Sequence, residues 1–112
     1  MTQISKPKVI QNYEKLTLEI QEQLKLYYPD GYIDNLIEFT NSKGELVSAL
    51  PFETDEKIYM VRMSIRKALE LIEEDSDYDE DGVLLSNRRE KYEDKYADVD
   101  YLFSEDDEDD DD

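Results

Sequence analysis

The sequence predicts an α+β protein: a small three-stranded antiparallel meander, with room for a short fourth strand, one or two packed helices, and a largely disordered acidic C-terminal tail. In the first 72 residues, one segment has apolar side chains at helical spacing, three have the composition or alternation of strands, and the end of the third also fits a second helix. The last 40 residues carry 20 acidic and 4 basic residues, a net −16 of the chain's −18. We therefore expect an α+β head over 1–72 and an acidic, mostly disordered tail over 73–112.

The first helix follows an apolar pair, Val9 and Ile10, that could form the extra strand. Thr17 suits the N-cap, because its side-chain oxygen can accept a hydrogen bond from an unpaired backbone N–H group. Pro29 and Gly31 end the helix, since proline lacks an N–H group and glycine accepts positive φ angles. The apolar face of this helix recurs at i, i+4, i+8 and i+11, at Leu16, Ile20, Leu24 and Tyr27.

The three strands are predicted over 36–40, 45–52 and 58–66, with turns between them. Gly44 stands where the first turn needs a positive φ angle, and Pro51 predicts that the second strand ends or loosens there. The third strand alternates with period 2, but its last residues also fit a helix that begins near Ser64 or near Lys67. Tyr59 and Met60 on an exposed sheet edge would allow a weak dimer, so we expect a monomer or weak dimer.

Composition excludes several functions. The chain has no cysteine and no histidine, so it lacks thiolate chemistry, Cys/His zinc sites and the usual general base near neutral pH. We therefore predict a non-enzymatic protein without a cofactor. The N-terminus has no apolar segment typical of export signals, and no apolar run could span a membrane, so a cytoplasmic location is expected. The negative charge repels nucleic acid and anionic membranes and attracts basic protein surfaces.

Four short segments precede the acidic tail: KLT at 15–17, YPDGY at 28–32, Asn41 with KGE at 43–45, and IYMV at 58–61. With that tail, they resemble a group of short uncharacterised bacterial proteins, some of which carry the label DNA primase. The resemblance covers the head and implies a shared fold. A primase needs metal-binding carboxylates on a rigid fold and a basic template groove, and the residues of this chain predict neither.

The segment 77–84 resembles a calcium-binding loop. Asp77, Asp79, Asp81 and Gly82 match positions 1, 3, 5 and 6 of such a loop. Position 12, which should be a bidentate glutamate, is Arg88, and a cation there removes two ligands. We favour a solvated acidic linker, and keep weak divalent cation (calcium) binding through Asp77, Asp79 and Asp81 as the alternative function.

The segment 86–103 predicts an amphipathic helix that either orders on a partner or docks back on the head, and the sequence leaves both open. It leads into 104–112, where eight of nine residues are acidic. An aromatic and aliphatic anchor beside an acidic block suits an apolar groove with a basic rim. The predicted partner-binding residues are Tyr92, Tyr96, Val99, Tyr101, Leu102 and Phe103.

Together these features predict an interaction module. Its polyanionic tail would bind a basic protein surface, such as that of a nucleic-acid-binding protein, in the manner of a DNA or RNA mimic. Direct binding to nucleic acid or to a membrane is not expected.

Overall fold

The computed structural model describes residues 6–103, without the Phe103 side chain. Four strands form one mixed sheet in the order β1-β4-β3-β2. β1 runs parallel to β4, and the β2–β3 and β3–β4 pairs are antiparallel. The predicted α+β class is confirmed, but the sheet has four strands and is not a three-stranded meander alone. The strands β2, β3 and β4 pair antiparallel in chain order, and the segment around Val9, predicted only as a possible short strand, pairs along five residues with β4. The strands are β1 (Lys8–Asn12), β2 (Ile37–Thr40), β3 (Leu46–Glu53) and β4 (Ile58–Arg62).

The helices are α1 (Leu18–Tyr27), α2 (Ile65–Glu73), α3 (Ser86–Lys95) and α4 (Asp100–Phe103), with 3₁₀ turns at Tyr13–Lys15 and Ile33–Asn35. Thr17 caps α1 as predicted, since its hydroxyl accepts a hydrogen bond from the Ile20 amide at 3.2 Å. Gly31 follows the helix with φ of 97°, and Gly44 adopts φ of 83° in the β2–β3 turn. These local signals were sufficient to place both turns.

The start of α2 settles the choice that the sequence left open. The Ser64 hydroxyl accepts a hydrogen bond from the Lys67 amide at 3.0 Å, so Ser64 is the N-cap. The predicted strand 58–66 is correspondingly shorter and ends at Arg62.

β3 does not end at Pro51 but continues to Glu53. Pro51 lies opposite Met60 on β4, whereas the pairing with β2 stops at Ala49. The missing N–H group is tolerated because that side of β3 has no strand partner at Pro51. The Pro51 carbonyl accepts a hydrogen bond from the Tyr28 hydroxyl instead.

The hydrophobic core draws on both halves of the chain. Tyr92, Tyr96 and Leu102 pack in the same cluster as residues of α1 and the sheet. A folded head that ends at residue 72 is therefore not what the structure contains, since packing continues to Leu102. The segment 104–112 lies outside the described residues. The buried cluster comprises Leu16, Leu24, Tyr28, Tyr32, Leu50, Phe52, Val61, Met63, Ala68, Tyr92, Tyr96 and Leu102.

The predicted dimer edge is an inner strand. β4, which carries Tyr59 and Met60, lies between β1 and β3. Met60 is buried, and Tyr59 is partly buried against the core. These two residues therefore offer no free sheet edge. Across residues 6–103, the helices are too short or too polar to cross a bilayer.

Candidate interaction surface

Asp77, the first residue of the predicted calcium loop, is buried in a network of cations and a tyrosine. Its Oδ2 accepts hydrogen bonds from the Lys25 Nζ at 2.8 Å and the Tyr92 hydroxyl at 2.6 Å. Arg88 Nε lies 3.3 Å from its Oδ1, and Lys25 also contacts Asp75 at 2.7 Å. Side chains of α1 and α3 thus surround the carboxylate and supply the positive charge that a metal ion would otherwise bring.

The pKa values of this network follow from its geometry. Burial alone would raise the pKa of Asp77, but hydrogen bonds from Lys25 and Tyr92 outweigh it and lower the pKa. Burial alone would lower the pKa of Lys25, but Asp75 and Asp77 raise it. Burial, together with the hydrogen bond to Asp77, raises the pKa of Tyr92 to about 12. At neutral pH, Lys25 and Asp77 therefore form an ion pair, and the Tyr92 hydroxyl donates a hydrogen bond to the Asp77 carboxylate.

The other two predicted metal ligands point elsewhere. Asp79 Oδ1 accepts hydrogen bonds from the backbone amides of Asp81 at 2.8 Å and Val83 at 3.0 Å. Asp81 is exposed. Within residues 6–103 there is no group of three or more acidic, cysteine or histidine residues arranged to hold a metal ion. The predicted calcium site is thus not assembled, because Asp77 turns inward to Lys25 while Asp79 closes its own loop.

A second buried carboxylate, Glu22 on α1, holds α3 in place. Its Oε1 accepts hydrogen bonds from the Tyr96 hydroxyl at 2.5 Å and from the Lys95 Nζ at 2.8 Å. Burial opposes ionisation, but these hydrogen bonds prevail and lower the pKa of Glu22. The neighbouring Gln23 accepts a hydrogen bond from the Tyr101 hydroxyl at 2.6 Å. α1 therefore offers a row of polar acceptors to the tyrosines of α3 and α4.

Most of the predicted partner-binding residues lie in this intramolecular contact. Tyr92, Tyr96 and Leu102 are buried, and Val99 and Tyr101 pack partly buried against the core. The Phe103 side chain lies outside the described residues. Of the two alternatives for this segment, the structure shows docking on the head, so these side chains contact a partner only if α3 and α4 detach.

Sequence reasoning missed Glu22 and Lys25. Neither belongs to the apolar face that was predicted for this helix, and no role was predicted for either. One signal indicated a buried acceptor such as Glu22: Tyr92 and Tyr96, four residues apart, bring two hydroxyl groups to one helix face, and buried tyrosine hydroxyls need acceptors. Nothing comparable pointed to Lys25. The sequence could not show that the acceptors are Asp77, 15 residues before Tyr92, and Glu22, 74 residues before Tyr96.

A shallow groove with an acidic rim lies on another part of the surface, between α2 and the loop 79–82. Leu69 and Ile72 of α2 form its apolar side, and the rim carries Glu73, Asp79, Glu80 and Asp81. None of these four carboxylates forms a salt bridge with another described residue. We call this site the α2 groove. It is apolar along its α2 side and negative at its rim.

In comparisons with known proteins, no family model, curated protein or solved structure matches this chain. The resemblance to short acidic bacterial proteins and the cytoplasmic location therefore stay predictions. Function has to be argued from the charge distribution and from the α2 groove.

Proposed function

We propose that this protein is a non-enzymatic interaction module that uses its acidic surface and its terminal run of acidic residues to bind a basic protein surface. The partner is best sought among nucleic-acid-binding proteins, whose basic surfaces are shaped to receive a polyanion. Binding of the acidic module would compete with nucleic acid for such a surface.

The observation that carries this proposal is the excess of acidic side chains that form no salt bridge within the described part of the chain. Residues 6–103 contain 23 acidic and 13 basic residues. Six of each form salt bridges within this described part of the chain. That leaves 17 acidic and 7 basic residues without a salt bridge in this part of the chain. The segment 104–112 adds eight more acidic residues. A surface with such an excess attracts cationic proteins and repels nucleic acid.

The buried ionisable groups support a binding role over a catalytic one. Among the salt-bridged cations of residues 6–103, Lys25 has the most buried side chain, with 12% of it exposed, and its pKa is raised. A lysine with a raised pKa keeps its proton and is a poor nucleophile or base. Asp77 and Glu22 have lowered pKa values, so neither holds a proton for general acid catalysis near neutral pH.

The test compares the full chain with a variant that ends at Phe103, because the described core closes at Leu102. The probe is a lysine-rich peptide of about 15 residues bound to fluorescent single-stranded DNA, whose release is followed by anisotropy. The full chain should release the DNA at about 0.05 M salt, and release should require far more protein at about 0.5 M salt. The shortened chain should be at least about tenfold weaker, since it loses eight charges.

Equal release by the two chains would contradict a role for the terminal acidic run. Absence of release at low salt would contradict the proposed function as a whole. Thermal unfolding of both chains, measured by circular dichroism, serves as the control that truncation leaves the fold intact.

A further inference from the structure

α2 leaves a pair of large apolar side chains in solvent. Ile65 is 61% exposed and Leu69 is 54% exposed, although they lie four residues apart on the same helix face. Ala68 and Ile72, beside them on the helix, pack against the core. Because a surface helix usually turns its apolar stripe fully inward, the outer half of this stripe is left without an intramolecular partner.

The wall opposite Leu69 is built before any partner arrives. The Asp79 amide donates to the Val83 carbonyl at 2.8 Å, and the Gly82 amide donates to the Asp79 carbonyl at 3.0 Å. The Leu84 amide donates to the Pro29 carbonyl at 2.7 Å, which fixes the loop to the turn after α1. A preformed groove needs little ordering when it binds, and this lowers the entropic cost of association.

The charges of α2 run against its helix dipole. Arg66 and Lys67 lie in the first turn, where the dipole is positive, and Glu73 and Glu74 lie at the negative end. Asp79, Glu80 and Asp81 add further negative charge around this end. A partner cation bound at the C-terminal end of α2 would relieve this unfavourable arrangement, whereas a second copy of the same acidic groove would be repelled.

We propose that the α2 groove binds a basic amphipathic helix of the partner protein. An apolar residue of that helix packs against Leu69 and Ile72, and its flanking lysine or arginine side chains pair with Glu73, Glu80 and Asp81. This inference rests on the proposed function and adds to it a defined docking site: the acidic terminal run contributes charge alone, whereas the groove distinguishes amphipathic partners from merely basic ones.

The test uses the full chain and two synthetic probes of equal charge: a helical peptide of leucine and lysine with one apolar face, and an oligolysine without leucine. Leu69→Gln removes the apolar wall of the groove. Leu18→Gln is the matched control, because Leu18 is 68% exposed on α1, away from the groove. Affinities are measured by calorimetry, and amide NMR spectra establish that both variants fold.

Leu69→Gln should lower the affinity for the amphipathic peptide about tenfold, since a buried leucine contributes roughly one order of magnitude in affinity. The affinity for oligolysine should not change. Leu18→Gln should change neither. If the two substitutions weaken binding of the amphipathic peptide equally, the α2 groove is not its docking site. Oligolysine binding by the unaltered chain would in that case still support the proposed function. Failure of both probes to bind the unaltered chain would overturn the proposed function itself.

Discussion

Acidic side chains are buried and hydrogen-bonded in one region of this molecule and exposed without a salt bridge in another. Where α1 meets α3, Asp77 and Glu22 are buried and accept hydrogen bonds from tyrosines and lysines. At the α2 groove, Glu73, Glu80 and Asp81 are exposed and have no salt-bridge partner in the described part of the chain. Four of these five residues come from the same stretch of nine residues, 73–81.

The difference shows that composition alone does not decide the role of an acidic segment. Asp77 and Asp81 are four residues apart, yet one contributes to the core and the other to the surface. What separates them is the facing element: α1 presents Lys25 to Asp77, whereas nothing cationic among residues 6–103 lines the groove at Asp81. Charge that is paired stabilises the fold, and charge that is left unpaired is available for a partner.

The largest expected effect comes from Asp77→Asn. The substitution leaves Lys25 with Asp75 alone and removes the charged acceptor of Tyr92, so the free energy of unfolding should fall by about 2–4 kcal/mol. Urea unfolding followed by circular dichroism measures it. Asp81→Asn, a matched change in the same loop, should alter stability little. A similar loss in both variants would show that the two regions do not differ as described.

The next effect is a dependence of stability on acid. Asp77 and Glu22 have pKa values lowered in the folded state, so they bind protons more weakly when folded than when unfolded. Their contribution is complete above the unfolded pKa values and is lost as pH falls through the folded ones, that is, below about pH 4. Urea unfolding between pH 6 and pH 3 should show this fall, and it should be shallower in Asp77→Asn. An identical slope in that variant would contradict the assignment.

A smaller effect is expected from Tyr96→Phe. It removes a hydrogen bond to the charged Glu22 and should lower the free energy of unfolding by about 1.5–2 kcal/mol. Tyr101→Phe removes a hydrogen bond to the neutral Gln23 and should cost about 1 kcal/mol or less. The order of the two losses in urea unfolding checks whether Glu22 is a charged acceptor; a larger loss in Tyr101→Phe would indicate that it is not.

The smallest effect has the opposite sign. Glu73→Gln removes a negative charge from the C-terminal end of α2 and should stabilise the protein by about 0.3 kcal/mol or slightly more. Glu19→Gln, at the N-terminal end of α1, should destabilise by a comparable amount. Thermal unfolding at low salt resolves the two directions. Removal of an acid thus destabilises the protein at Asp77 and stabilises it at Glu73, which sharpens the contrast between the two regions.

The parts of the fold that could be predicted are those with local causes. Thr17 caps α1 by accepting a hydrogen bond from the amide of Ile20, three residues later, and Gly44 adopts the positive φ angle that its turn requires. The start of α2 at Ser64 was ambiguous in the sequence, because the neighbouring residues fit both strand and helix spacing. The hydrogen bond from the Lys67 amide to the Ser64 hydroxyl identifies Ser64 as the N-cap. The α+β class follows from such signals, whereas the parallel pairing of β1 with β4 depends on residues 50 positions apart.

The candidate sites were harder to predict, because their partners are distant in the chain. The spacing of Tyr92 and Tyr96 was visible as one helix face, but a periodic face does not say what it packs against. Asp77 resembled a metal ligand because it matches the first position of a calcium loop, and its partner Lys25 was missed because it lies 52 residues earlier. The α2 groove was not predicted, since it forms between a helix and a loop whose relative position only the fold determines.

The most direct test of the whole account is hydrogen exchange at individual backbone amides, measured by NMR on the full chain. If 73–102 belongs to the same core as the sheet, the helical amides of Tyr92 and Lys95 should exchange with opening free energies within about 1 kcal/mol of those of Leu50 and Val61 in the sheet. Rapid exchange throughout α3, with the sheet still protected, would contradict the account and restore the separate acidic tail that the sequence predicted.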